Sequence, residues 1–179
     1  MTAPEPLDLS QYIRSIPDFP KPGILFRDIT PLLACPRAFR CAIDELTRRA
    51  QDLRVQSIVA AEARGFLLAA PLALELGAAL VPVRKRGKLP GKVISCTYDL
   101  EYGSDTLEIH AGSITAGARV LVVDDLLATG GTVEACCRLV EKAEGTVAGC
   151  AFLVELTALG GAKRIARYPT ITLIRDAGP

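Results

Sequence analysis

Val120-Leu121-Val122-Val123-Asp124-Asp125-Leu126-Leu127-Ala128-Thr129-Gly130-Gly131-Thr132 is the stretch on which the fold of this chain turns. Four aliphatic residues without polar alternation read as a strand covered on both faces, the kind found in parallel α/β sheets. Two carboxylates follow, then a turn of small residues, then a helical pattern over 132–143. Ligands of open α/β sheets bind outside the carboxyl ends of the strands, which is where this turn falls. Gly130 and Gly131 let the backbone close around a bound group with its N–H groups pointing inward. Thr129 and Thr132 add hydroxyl donors, and the helix start adds its positive end, so residues 128–132 suit a phosphate dianion. Asp124 and Asp125 stand where a sugar attached to that phosphate would lie, and can accept hydrogen bonds from two of its hydroxyls. The run lacks the lysine of a Walker A loop and the GxGxxG spacing of a dinucleotide site.

Working outward, helices and strands alternate. The pattern predicts a short helix over 7–15, an extended segment over 24–26, a helix over 36–51 and a buried strand at Ser57–Ala61. A helix at Gly65–Leu76, a strand over 79–83 and a strand over 147–156 complete it. Such alternation argues a single α/β domain, 1–179, with a mostly parallel central sheet flanked by helices. Residues 87–110 differ: Gly87, Pro90, Gly91 and Gly103 punctuate alternating residues, which reads as a hairpin or flap projecting from the sheet.

Composition narrows the chemistry. Of 179 residues half are hydrophobic, enough for a core, and 21 basic against 20 acidic residues leave a net charge of +1. No basic footprint for nucleic acid follows from that balance. His110 is the single histidine, so multi-histidine zinc sites are excluded and acid–base work falls to carboxylates. Six cysteines without a CxxC pair, and no apolar signal core in residues 1–11, fit a cytoplasmic chain with reduced thiols. The apolar run 66–83 is long enough to span a bilayer, but Pro71, Glu75, Gly77 and Pro82 interrupt it, and a buried helix and strand explain it better.

The 120–132 run resembles the phosphoribosyl pyrophosphate motif of type I phosphoribosyltransferases. Segments 14–20, 23–29, 64–66, 84–91 and 100–103 resemble the adenine phosphoribosyltransferase family in particular, in order along most of the chain. The resemblance implies a type I phosphoribosyltransferase fold, with an N-terminal hood over 1–35 and a flexible flap over 84–110. It implies transfer of a phosphoribosyl group to adenine, giving AMP and pyrophosphate in purine salvage, with Mg²⁺ held through substrate and water near Asp124 and Asp125. Arg64, Arg84 and Lys88 are then the pyrophosphate cations, Arg84 reaching across a homodimer interface. A non-proline cis peptide is common in the Arg64 turn of such enzymes. Glu101 becomes the acid–base residue over the base. Phe26 and Leu126 become the sandwich for adenine, with Leu25 main-chain groups at its amino edge and Arg27 in the same segment. Taken alone, Arg64 also reads as a surface arginine, the 84–88 cluster as a solvated turn or a localisation signal, and Phe26 as core. Two departures stand out: Ala61-Glu62-Ala63 where Leu-Asp-Ser leads into Arg-Gly-Phe, and Leu68 and Ala69 where an aromatic and a glycine follow it. A 6-oxopurine transferase, a nucleotide-sensing regulator and an inactive binding module are the competing readings.

Overall fold

The computed structural model describes residues 7–99 and 104–178, and the chain divides into two compact units, Met1–Glu45 and Leu46–Pro179. In the first unit a 3-10 turn, Leu9–Tyr12, is capped by the Asp8 carboxylate, which accepts from the Ser10 amide at 3.0 Å. Strands β1 (Arg14–Ile16) and β2 (Phe26–Asp28) then pair antiparallel, Arg14 opposite Asp28. The helix expected over 7–15 is therefore confined to one turn. Pro17 disfavours helical backbone at Ile16, and the β2 partner captures residues 14–16. Strand pairing at 26–28 likewise displaces the extended segment from 24–26. Asp28, 6% exposed, accepts from Arg14 Nε at 3.0 Å and from the Thr30 amide at 2.9 Å. Those bonds, the Thr30 amide first, hold its carboxyl below the usual range. Helices α1 (Thr30–Ala34) and α2 (Pro36–Ala50) follow, each with a proline in its first turn.

The second unit is built on one seven-stranded sheet. Along the chain come β3 (Ser57–Ala61), α3 (Gly65–Leu76), β4 (Ala79–Lys85), β5 (Val93–Asp99), β6 (Ser104–His110) and β7 (Arg119–Leu127). They are followed by α4 (Gly131–Lys142), β8 (Thr146–Leu156), α5 (Gly161–Arg164) and β9 (Thr170–Asp176). Strand order is β5-β6-β4-β3-β7-β8-β9. The run β4 to β9 is parallel, and β5 and β6 add antiparallel. The strand pair expected over 87–110 is present, but β5 and β6 extend the sheet's edge instead of projecting from it, because β6 pairs with β4 through Arg84 opposite Glu108 and Lys85 opposite Leu107.

Side chains alternate across the sheet as the pleat demands. Val59, Ala61, Val120, Val122, Cys150 and Phe152 form one cluster with Val133, Cys136, Leu139 and Val140 of α4. The intervening residues Ile58, Ala60, Leu121 and Val123 are equally buried on the other face, where α3 packs on β3 and β7. Burial on both faces explains why these strands are continuous aliphatic runs. Leu68 and Ala69, the residues that depart from the family pattern, lie on α3 at 0% exposure. Strand β7 outruns the aliphatic 120–123: Asp124 pairs with Phe152 and Leu126 with Val154, so the acids sit inside the ladder rather than after it.

Candidate active site

Strand β7 ends at Leu127, and the chain turns through Ala128, Thr129 and Gly130 into α4. Gly130 has φ +81°, a left-handed conformation that suits glycine. No side chain caps the start of α4, so its first-turn N–H groups are offered to the cavity in front of them. That cavity, about 260 Å³, is bounded by Glu62, Ala63 and Arg64 on one side and by Asp124–Leu126 and 128–133 on the other. It is slightly smaller than the ~300–1,000 Å³ typical of pockets enclosing a drug-sized ligand.

The acidic pair occupies the cavity floor. Asp125 is 2% exposed, and its amide donates to Asp124 Oδ1 at 2.9 Å. Asp125 Oδ2 makes no hydrogen bond among the described residues, but lies 3.1 Å from Arg64 Nε. Burial raises both carboxyls, Asp124 to about 8, where the charge of Asp125 adds to the effect. For Asp125 burial outweighs the opposing Arg64 guanidinium. The unliganded pair therefore retains a proton well above the ordinary carboxylate range. Gly65 leaves room for it: a Cβ there would sit 3.0 Å from Asp124 Oδ1 and 3.2 Å from the Val123 carbonyl.

Glu62, the other departure from the family pattern, anchors the basic cluster. Its Oε2 accepts from Arg84 Nε and its Oε1 from the Lys85 amide, both at 2.7 Å. The Lys85 amide, ahead of Arg84 and Lys88, holds its carboxyl below the usual range. The Glu62–Ala63 peptide is cis, in the turn where the resemblance implied one. Lys85 Nζ lies 3.2 Å from Asp105 Oδ2, while the buried Glu108 accepts from the Gly87 amide at 2.9 Å. Lys88 is exposed on the same turn. Arg64 thus lies against the acidic pair, and Arg84 is tied to Glu62, which lines the same cavity. These acceptors were not anticipated, because their partners lie 21 to 23 residues away.

In the first unit, Phe26 is half-buried and meets Phe19 edge-on at 5.1 Å. Arg27 Nη1 donates to Ser15 Oγ. Leu25 precedes β2 and is half-buried, and in the second unit Leu126 lines the cavity. Glu101 lies outside the described residues.

An acidic pair, a glycine turn and an open helix start at the end of a parallel strand have the chemistry that suits a phosphorylated sugar. Residues 38–175 match the phosphoribosyl transferase domain family. An adenine phosphoribosyltransferase of Desulfitobacterium hafniense is 56% identical over 169 residues, covering 94% of this chain and 98% of the relative. The crystal structure of adenine phosphoribosyltransferase from Thermoanaerobacter pseudethanolicus superposes with a TM-score of 0.92 at 50% identity, over 94% and 98% of the two chains. The Saccharomyces cerevisiae enzyme, complexed with an imino-altritol bisphosphate and adenine, gives 0.88 at 41% identity, over 92% and 96%. The chain belongs to the phosphoribosyltransferases and, within them, to the adenine phosphoribosyltransferase family. Its reaction is accordingly a pentosyl transfer: adenine and phosphoribosyl pyrophosphate give AMP and pyrophosphate, the family's step in purine salvage.

Proposed function

We propose that the cavity takes the donor with its 5′-phosphate in the 128–132 turn and its ribose diol on Asp124 and Asp125. The conjunction of turn, uncapped helix start and acidic pair around one small cavity carries this reading. Ala128, Thr129, Gly130, Gly131 and Thr132 supply the donors, and the α4 start supplies the favourable potential. The buried carboxyls give up their proton as the diol and positive charge arrive. Bond breaking ahead of bond making leaves an oxocarbenium-like sugar, which the ionised pair stabilises from a site that needs no reorganisation. Arg64, Arg84 and Lys88 neutralise the departing pyrophosphate.

Mg²⁺ fits the same residues. Among the described residues no three acidic, histidine or cysteine side chains cluster as a cage. A hard cation would find the oxygens of Asp124 and Asp125 on the cavity lining, with substrate oxygens and water completing its shell, as is usual for Mg²⁺. Bound there, it would supply further charge neutralisation for the pyrophosphate.

Adenine lies between Phe26 and Leu126 in this reading, with Leu25 main-chain groups reading its amino edge and Arg27 extending the segment. Glu101 meets N7 and manages the proton lost as N9 bonds to the sugar. Residues 1–35 form a hood and 84–110 a flap on one catalytic domain, 1–179. Incubation with phosphoribosyl pyrophosphate and Mg²⁺ is expected to give AMP from adenine at a rate roughly 10²-fold or more above that of hypoxanthine. Turnover of hypoxanthine but not adenine contradicts the base assignment, and undiminished turnover after chelation contradicts the metal.

A second copy of the chain completes the protein in this reading. Leu74 is 85% exposed and Leu67 46%, both on α3, and Leu80 on β4 is 39% exposed. Exposed large apolar side chains are what an association surface covers, and a two-fold dimer would bury them in pairs. Leu74→Glu is expected to convert a dimer to a monomer in sedimentation velocity; a wild-type monomer removes the proposal. All six cysteines are free thiols, four of them buried, in keeping with the reducing cytoplasm.

A further inference from the structure

We propose that residues 160–164 position the phosphate-binding turn, Gly161 shaping it and Arg164 tying it to α4. The proposal rests on the reading of 128–132 as the phosphate site. Gly161 opens α5 with its Cα directly against the Ala128 backbone. A Cβ added there would overlap the Ala128 carbonyl oxygen and lie 3.0 Å from Leu127 Cδ1. Its φ is not left-handed, so glycine serves close approach here and not conformation. The contact is reciprocal, since a Cβ on Gly130 would stand 2.9 Å from the Gly161 carbonyl. Two backbones meet with no side chain between them.

Arg164 makes the second contact. Its Nε lies 2.6 Å from Glu134 Oε2, in the first turn of α4, and its Nη1 lies 3.5 Å from where a Gly131 Cβ would be. Glu134 would otherwise oppose an anion at that helix start. Arg164 first, then Arg138 at 2.8 Å, offset its charge. The turn itself, Ala128-Thr129-Gly130-Gly131, has little side chain with which to hold its own shape. A rigid neighbour is what fixes the direction of its N–H groups, and misplacement of about 1 Å is enough to weaken such a site strongly.

The test compares Gly161→Ala with Gly145→Ala. Gly145 is also crowded, though by side chains, 2.9 Å from Ile114 Cγ2 and 3.0 Å from Val140 Cγ1, and lies beyond the far end of α4. Gly161→Ala is expected to raise the donor KM and the calorimetric Kd for ribose 5-phosphate about tenfold, with the adenine KM changed less than about twofold. Gly145→Ala is expected to lower the melting temperature and leave both donor values at wild type. Should Gly161→Ala not fold, Arg164→Ala decides, with a donor KM raised about threefold and restored in part by Arg164→Lys. Wild-type ribose 5-phosphate affinity in Gly161→Ala, or in Arg164→Ala where that variant decides, overturns the proposal, as does an equal loss in Gly145→Ala. Thr132→Ala separates the two readings: if it too leaves ribose 5-phosphate binding intact, the phosphate site itself is misassigned.

Discussion

Asp125→Asn is expected to lower kcat about 10²- to 10³-fold, the usual cost of one electrostatic group in such a site, and to make the unliganded protein more stable at alkaline pH. The two effects share one cause. Asp125 is 2% exposed and shares its surroundings with Asp124, whose carboxyl burial pushes up to about 8. Both folded-state values lie above the unfolded one, so the folded chain binds protons that the unfolded chain releases. The contribution to stability is therefore greatest below about pH 4 and is lost as pH rises through about 8. Asparagine cannot ionise, and it relieves Asp124 of a neighbouring charge. A gain of about 1 kcal/mol corresponds to a rise of roughly 2–4 °C in a chain of this length. That rise should show at pH 8.5 and shrink at pH 5.5. Near-normal kcat, or a lower melting temperature at pH 8.5, would remove the pair from its assigned role.

Glu101→Ala is expected to cost about 10²- to 10⁴-fold in kcat, the range for losing a positioned acid–base group. Adenine must shed a proton as its N9 bonds to the sugar, and with His110 as the chain's single histidine a carboxylate is the available group. On the proposed role over the base, the donor KM should stay within about threefold of wild type, unlike the loss expected at Gly161. Glu101→Gln, which keeps the shape and one hydrogen bond, should retain more activity than alanine if hydrogen bonding to the base contributes. A kcat unchanged in both variants would assign the proton to another group.

Much of the sheet was legible because its signals are local. The aliphatic runs give β3 and α3 the bounds the pattern predicts, Ser57–Ala61 and Gly65–Leu76: β3 is buried along its whole length, and α3 ends at Gly77, whose φ of +62° stops the helix. The hairpin was legible from its glycines. Residues 14–16 were not, because their pairing with 26–28 competes with a helical pattern that has no view of the partner strand. Strand β9 went unread for a similar reason: its residues are half-exposed at the sheet edge, and what orders them is β8. The site divides in the same way. Asp124, Asp125 and the glycine turn are contiguous and announce themselves. Glu62's hold on Arg84 and the backbone contact of Gly161 on Ala128 are tertiary facts, and a glycine whose φ is ordinary leaves no mark in a single sequence.

The most direct measurement of the central claim is a crystal structure of the chain with AMP. The phosphate is expected within hydrogen-bond distance of the 129–132 amides, and the 2′- and 3′-hydroxyls on the Asp124 and Asp125 carboxylates. A nucleotide bound in another cavity, with the 128–132 turn vacant, would contradict the account.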